Sequence, residues 1–250
     1  MFEIGICTAV TTPPPAGDFI EENVQRYLRP EQPDFTPVPT ALPVRAANCF
    51  LPGTLKCVGT TVDQARLIAY ATTAFHRAQQ AGIELIVFGS GAARQIPDGF
   101  SRAKAEAQFV TYLKEIAPLA DRHGVTLVIE PLNAAECNFI LSVPEADTVA
   151  QACGHPRIAI LADFYHMLQQ DQAPDDIRRH SSRLRHIHVA EKAKRTAPGL
   201  AGDDFRPYLR ALNQIGYRGR LALECIWQDY ANDVRTGVAE LRRQLTAADA

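Results

Sequence analysis

Four of the side chains in this 250-residue chain that can bind protons or metal ions share one setting. Each closes an apolar, strand-like run. Glu130 closes residues 126–130, Asp163 closes 158–163, His188 closes 184–188 and Glu224 closes 221–224. Pro131 follows Glu130 and cannot donate to a sheet ladder, so pairing is expected to stop there. A carboxylate at the end of a buried strand is costly unless something compensates it. Alone, such a group reads as an ion-pair partner. Four runs in succession, each delivering one oxygen or imidazole donor, point instead to a shared ligand.

Three carboxylates and one imidazole make a hard, mostly oxygen site. It suits one divalent metal ion, Mn²⁺ or Mg²⁺ first, with Co²⁺ or Zn²⁺ as further candidates. A closed structural zinc site would draw more on Cys and His. With open positions left for substrate, the ion would polarise a carbonyl and stabilise an enediolate. Glu130 and Glu224 would stand on either side of the substrate. One would remove a carbon-bound proton and the other return one, an isomerisation or epimerisation without an organic cofactor.

The elements that must position these groups are legible as periodicity. Strand-like runs lie near residues 3–7, 19–24, 43–50, 84–89, 126–130, 158–163, 184–189 and 221–226. Helical patterns cover 61–81, with Thr61 and Gln64 as a capping box, then 102–123, 144–153, 203–215 and 231–246. Strand followed by helix, repeated, predicts a parallel sheet. Eight repeats in this length predict a single (β/α)8 TIM-barrel domain over residues 1–250. Such barrels carry their sites at the C-terminal ends of the strands, where the four residues fall. An open doubly wound sheet is the alternative, but no Gly-rich phosphate turn accompanies it. The prolines of residues 8–18 and 26–42 predict that the first two helices are short or irregular.

Composition narrows the function classes. Net charge is −2 and no basic block is present, which argues against a nucleic-acid partner. No apolar run is long enough to span a membrane. The N-terminus reads as a first strand, not a signal peptide. The six cysteines form no C-x-x-C pair. Cys7, Cys49 and Cys225 lie in strand-like runs and read as buried thiols, consistent with a reducing cytoplasm. The run from Lys192 to Arg195 reads as a solvated loop, or as a contact for substrate oxygens or a phosphate.

Four motifs then bear on family. They are Glu130-Pro131-Leu132-Asn133-Ala134-Ala135-Glu136-Cys137-Asn138-Phe139, Asp163-Phe164-Tyr165-His166-Met167, His186-Ile187-His188-Val189-Ala190-Glu191 and Leu223-Glu224. In order and spacing they resemble the xylose-isomerase-like sugar isomerase/epimerase barrels, especially ketose 3-epimerases of the tagatose and psicose type. The likeness spans about residues 45 to 228. It implies that Glu130, Asp163, His188 and Glu224 are metal ligands, with Glu130 and Glu224 also the acid/base pair. It implies that His166 and Glu136 contact a sugar, sugar phosphate or polyol substrate. The family's substrate-binding Arg falls on Lys194, with Arg195 next; both are candidate substrate contacts, and either the role passes to Arg195 or the substrate differs. The resemblance also implies a homodimer.

A metal-dependent lyase, of the inosose or dehydroshikimate dehydratase kind, uses a similar barrel. It would begin with the same proton abstraction and then expel water. A hydride-shift isomerase would need a second metal and a lysine beside it. A repair endonuclease would need more ligands and a basic face. A binding barrel would tolerate loss of a ligand. Several residues stay open. His186 is expected to face away from His188 in a structural role. Arg94, after the Gly89-Ser90-Gly91 turn, could bind an anion. Glu191 reads as supporting a ligand or as solvated, and Trp227 as lining the pocket or packing its rim.

Overall fold

The computed structural model describes residues 2–249 and is a closed barrel of eight strands in sequence order. The strands are β1 (Ile4–Cys7), β2 (Phe19–Asn23), β3 (Val44–Asn48), β4 (Leu85–Phe88), β5 (Thr126–Ile129), β6 (Ile158–Asp163), β7 (Leu184–Val189) and β8 (Arg220–Leu223). Every neighbouring pair is parallel, and β1 closes the ring on β8 with Ile4 beside Leu221. The helices are α1 (Gln64–Ala81), α2 (Gly91–Arg94), α3 (Arg102–Arg122), α4 (Val143–Cys153), α5 (Phe164–Gln169), α6 (Asp175–Arg179), α7 (Arg206–Gln214) and α8 (Tyr230–Asp249).

Alternation along the strands builds two separate apolar layers. One face joins the strands to the helices, as with Ile86, Phe88, Leu127 and Ile129 packed among α1 and α3 residues such as Phe75 and Phe109. The other face fills the barrel axis with Phe19, Ala46, Leu85, Val87, Val128, Ala159, Leu161 and Ala222. Phe19 fits there because its β1 neighbour is glycine. A Cβ on Gly5 would lie 2.2 Å from the Phe19 ring.

The expected helices form with small changes at their starts. Asp63, not Thr61, caps α1 by accepting from the Arg66 amide. The α7 helix begins at Arg206, after Phe205 rather than at Asp203. Among the described residues no helix connects β1 to β2. A single π-helical turn (Val24–Leu28) follows β2. These are the proline-rich stretches, where missing amides disfavour a full helix. No described helix is long and apolar enough to cross a membrane. All six cysteines are free, and Cys7, Cys49 and Cys225 are half-buried, less enclosed than their strand-like setting predicts. Burial still pushes the Cys49 thiol up to about 12.

Candidate metal and proton-transfer site

The four residues at the strand ends meet at the C-terminal mouth of the barrel. One donor atom from each of Glu130, Asp163, His188 and Glu224 lies within 4.8 Å of every other. Nδ1 of His188 is 3.2 Å from Glu130 Oε1 and 3.4 Å from Glu224 Oε2.

Each candidate ligand is placed by its own local device. Asp163 is the last residue of β6 and the N-cap of α5. Its Oδ1 accepts from the Tyr165 amide at 2.7 Å, which leaves Oδ2 to face the cluster. Glu130 is anchored through its backbone, since its carbonyl accepts from Arg94 Nη2 at 2.6 Å. Its side chain needs the bare backbone of Gly89, where a Cβ would lie 2.1 Å from Glu130 Oε2. Glu224 Oε1 accepts from Asn48 Nδ2 at 3.0 Å, across the barrel from β3. His188 donates through Nε2 to Glu21 Oε1 at 2.8 Å.

Glu21 is the residue that the sequence reading missed. It sits on β2, is 1% exposed, and its second oxygen meets His186 Nε2 at 2.7 Å. His186 therefore does not face away from His188. Residues two apart on a strand share a face, and both imidazoles point into the barrel. The available signal was a carboxylate inside a strand-like run that must be buried on both sides, a rarity that asks for a partner.

The substrate-side candidates gather around the cluster. His166 is buried, and its Nδ1 accepts from the Asn133 amide at 3.1 Å. That bond places the ring proton of the neutral imidazole on Nε2, which lies 3.5 Å from Asp163 Oδ2 and has no hydrogen-bond partner. Glu136 accepts from Asn133 Nδ2 at 2.9 Å. Arg195 reaches Glu224 Oε2, lies 3.3 Å from Asp163 Oδ2 and 3.7 Å from Glu136 Oε1, and stacks 4.7 Å from the Tyr165 ring centroid. Lys194 is exposed. Of the two cations considered for this position, Arg195 is the one that enters the cluster.

Three further expectations resolve. Arg94 is fully buried and donates to the carbonyls of Phe88, Glu130 and Ile140, so it braces the ligand strand instead of offering an anion site. Glu191 is fully buried and gathers the loop after β7, accepting from Thr196 Oγ1 and the amides of Gly199, Ala201, Gly202 and Asp203. It thereby holds the loop that carries Arg195. Trp227 packs at the rim, edge-on to Tyr230, whose hydroxyl donates to Thr8 Oγ1 at 3.0 Å.

The electrostatics are uneven. Burial, reinforced by the Glu224 charge, raises the Glu130 carboxyl above the usual range. Burial also acts on Glu224, but the charges of His188 and Arg195 outweigh it and hold that carboxyl down at about 2. Burial would lower His188, yet the charges of Glu21 and Glu224 win and raise it well above an ordinary histidine. His186 is lowered by burial, which Glu21 only partly offsets. Buried carboxylates crowded in this way call for a compensating cation. The donor set fits a divalent ion, with oxygens of three carboxylates and one imidazole nitrogen brought close together. A cavity of about 950 Å³ lies at the other end of the barrel, lined by Glu3, Arg185, His186, Arg218, Arg220 and Arg242. The converging ligands are at the C-terminal mouth and not there.

A family model described as a xylose isomerase-like TIM barrel matches residues 58–246. The chain belongs to this family. Over 119 residues it is 29% identical to a D-psicose 3-epimerase of Enterocloster bolteae, covering 47% of this chain and 39% of that protein. Over 133 residues it is 27% identical to 3-dehydro-D-guloside 4-epimerase of Escherichia coli, covering 52% of this chain and 50% of that one. These alignments span about half, or less, of the relatives' own length. An L-ribulose 3-epimerase structure shares the fold, with a TM-score of 0.82 at 18% identity, over 100% of this chain and 96% of the other.

Proposed function

We propose that this protein is a divalent-metal-dependent sugar isomerase or epimerase that works by proton transfer. One observation carries the reading. Two glutamates, an aspartate and one imidazole nitrogen converge within 4.8 Å at the C-terminal mouth of a parallel barrel. The names of the two relatives described above, both epimerases, support the substrate class.

Glu130, Asp163, His188 and Glu224 would hold the ion, Mn²⁺ or Mg²⁺ by donor type. When bound, the ion supplies Lewis-acid polarisation of a carbonyl. The remaining work belongs to side chains. Glu130 and Glu224 follow β5 and β8, which have two strands between them around the ring. One takes a proton from the carbon beside the carbonyl and the other returns one to the same or the neighbouring carbon. His166 Nε2–H is a buried donor without a partner and is suited to a substrate oxygen. The Arg195 guanidinium supplies donors on the same side, and Glu136 accepts from a substrate hydroxyl. Asn48 keeps Glu224 oriented.

The test is solvent deuterium exchange. Metal-loaded protein is incubated in D₂O with a panel of ketoses, keto-polyols and their phosphates, and carbon-bound protons are followed by NMR. Deuterium entering beside a carbonyl, and lost in Glu130→Gln, is the expected result. Loss of water from the product would replace isomerisation with dehydration. No exchange with any member of the panel, despite bound metal, would overturn the reading.

A further inference from the structure

We infer that Glu21 is a positioning residue for His188: it dictates which ring nitrogen faces the metal and strengthens that nitrogen as a ligand. This inference rests on the proposed metal site. Glu21 lies on β2, outside the motifs that carry the ligands, and reaches no substrate-side group.

An ionised carboxylate only accepts hydrogen bonds. Glu21 Oε1 is 2.8 Å from His188 Nε2, so Nε2 of that ring must carry a proton. Nδ1 also faces carboxylates, 3.2 Å from Glu130 and 3.4 Å from Glu224, so a bound ion would take the place of the Nδ1 proton while Glu21 keeps the one on Nε2. Without Glu21 either tautomer is open, and the ring can turn its proton towards the other ligands. A carboxylate on the far nitrogen also makes the near one a better donor to a cation.

Glu21 is itself fixed. Its Oε2 is held by His186 Nε2 at 2.7 Å, so both oxygens are engaged and the carboxylate cannot rotate. Both partners come from one strand, β7, two residues apart. The His186–Glu21–His188 chain is at most 1% exposed at each member. Water therefore does not compete for these bonds. A purely structural clamp predicts that removing Glu21 lowers the stability of the metal-free protein and leaves the metal affinity of the folded protein alone. A positioning role predicts that the affinity moves.

The experiment is a Mn²⁺ titration of metal-stripped full-length protein, followed by calorimetry and by the electron paramagnetic resonance signal of free Mn²⁺. Wild type, Glu21→Gln, Glu21→Ala and His186→Gln are compared, each checked for folding by circular dichroism. The amide keeps the shape and one acceptor but loses the charge. We expect Glu21→Gln to bind Mn²⁺ about tenfold more weakly and Glu21→Ala up to about a hundredfold more weakly, with His186→Gln affected less. If Glu21→Ala does not fold, Glu21→Gln decides. A folded Glu21→Gln that binds within about twofold of wild type overturns the inference and leaves the proposed metal site standing. A wild type that binds no Mn²⁺ overturns both.

Discussion

The two halves of the barrel end differently. The strands β5, β6, β7 and β8 each deliver one candidate metal ligand, whereas β2 and β3 deliver Glu21 and Asn48, which touch ligands instead of joining them. After β4, Gly89 clears space for Glu130, and Arg94 in α2 braces the Glu130 carbonyl. In the proposed function one half would supply the reacting groups and the other would hold them still. A group that must exchange partners during a reaction gains from neighbours that do not.

Breaking the ligand half should cost most. Glu224→Gln is expected to lower turnover by about 10²- to 10⁴-fold, the range for loss of a positioned acid or base. Steady-state kinetics with the substrate found by deuterium exchange checks this. Arg195 belongs to the ligand half, on the loop after β7. Arg195→Ala should reduce kcat/KM about 10- to 100-fold, the loss expected for a charged hydrogen-bonding group. Lys194→Ala should leave it within about twofold, as expected of an exposed side chain that does not enter the cluster. An equal loss in both variants would return Lys194 to the site.

The support half should respond more gently. Asn48→Ala removes the bond to Glu224 Oε1 and should slow turnover about fivefold, near 1 kcal/mol, while Mn²⁺ stoichiometry stays unchanged. A loss as large as that of Glu224→Gln would erase the distinction between the halves.

The pH dependence of the metal-free protein separates the two glutamates. Glu224 is held at about 2, below its ordinary 4.5, so it adds stability above the ordinary value and loses it as pH falls from there towards about 2. Glu130 is raised, so the folded state holds its proton more tightly than the unfolded chain does. It costs stability progressively as pH rises above the ordinary value. Thermal melts from about pH 3 to 8 should find Glu224→Gln below wild type at neutral pH and Glu130→Gln above it, with both gaps closing on acidification. The reverse order would contradict the assigned environments.

The same division decided what the sequence could reveal. On β5 to β8 an apolar run stops in a charged residue, and such a break is visible without coordinates. The long helices were also visible, because Leu67, Ala71, Phe75 and Ala78 form a stripe. The support half left weaker marks. Glu21 sits within its strand rather than at the end, and its partners are 165 and 167 residues away. Nothing local joins them. The four-residue α2 and five-residue α6 are too short for periodicity to show. Arg94 resembled an anion contact because only the fold reveals the three carbonyls it serves. His186 lies two residues from His188 and so shares its face of the strand, as their common partner Glu21 shows.

The central claim is that four residues hold one divalent ion at the C-terminal mouth. Anomalous diffraction from a crystal soaked in Mn²⁺ tests it directly. The account predicts a single strong peak within bonding distance of Glu130, Asp163, His188 Nδ1 and Glu224, absent in Asp163→Asn. No peak at that mouth, or one that persists unchanged in Asp163→Asn, would contradict it.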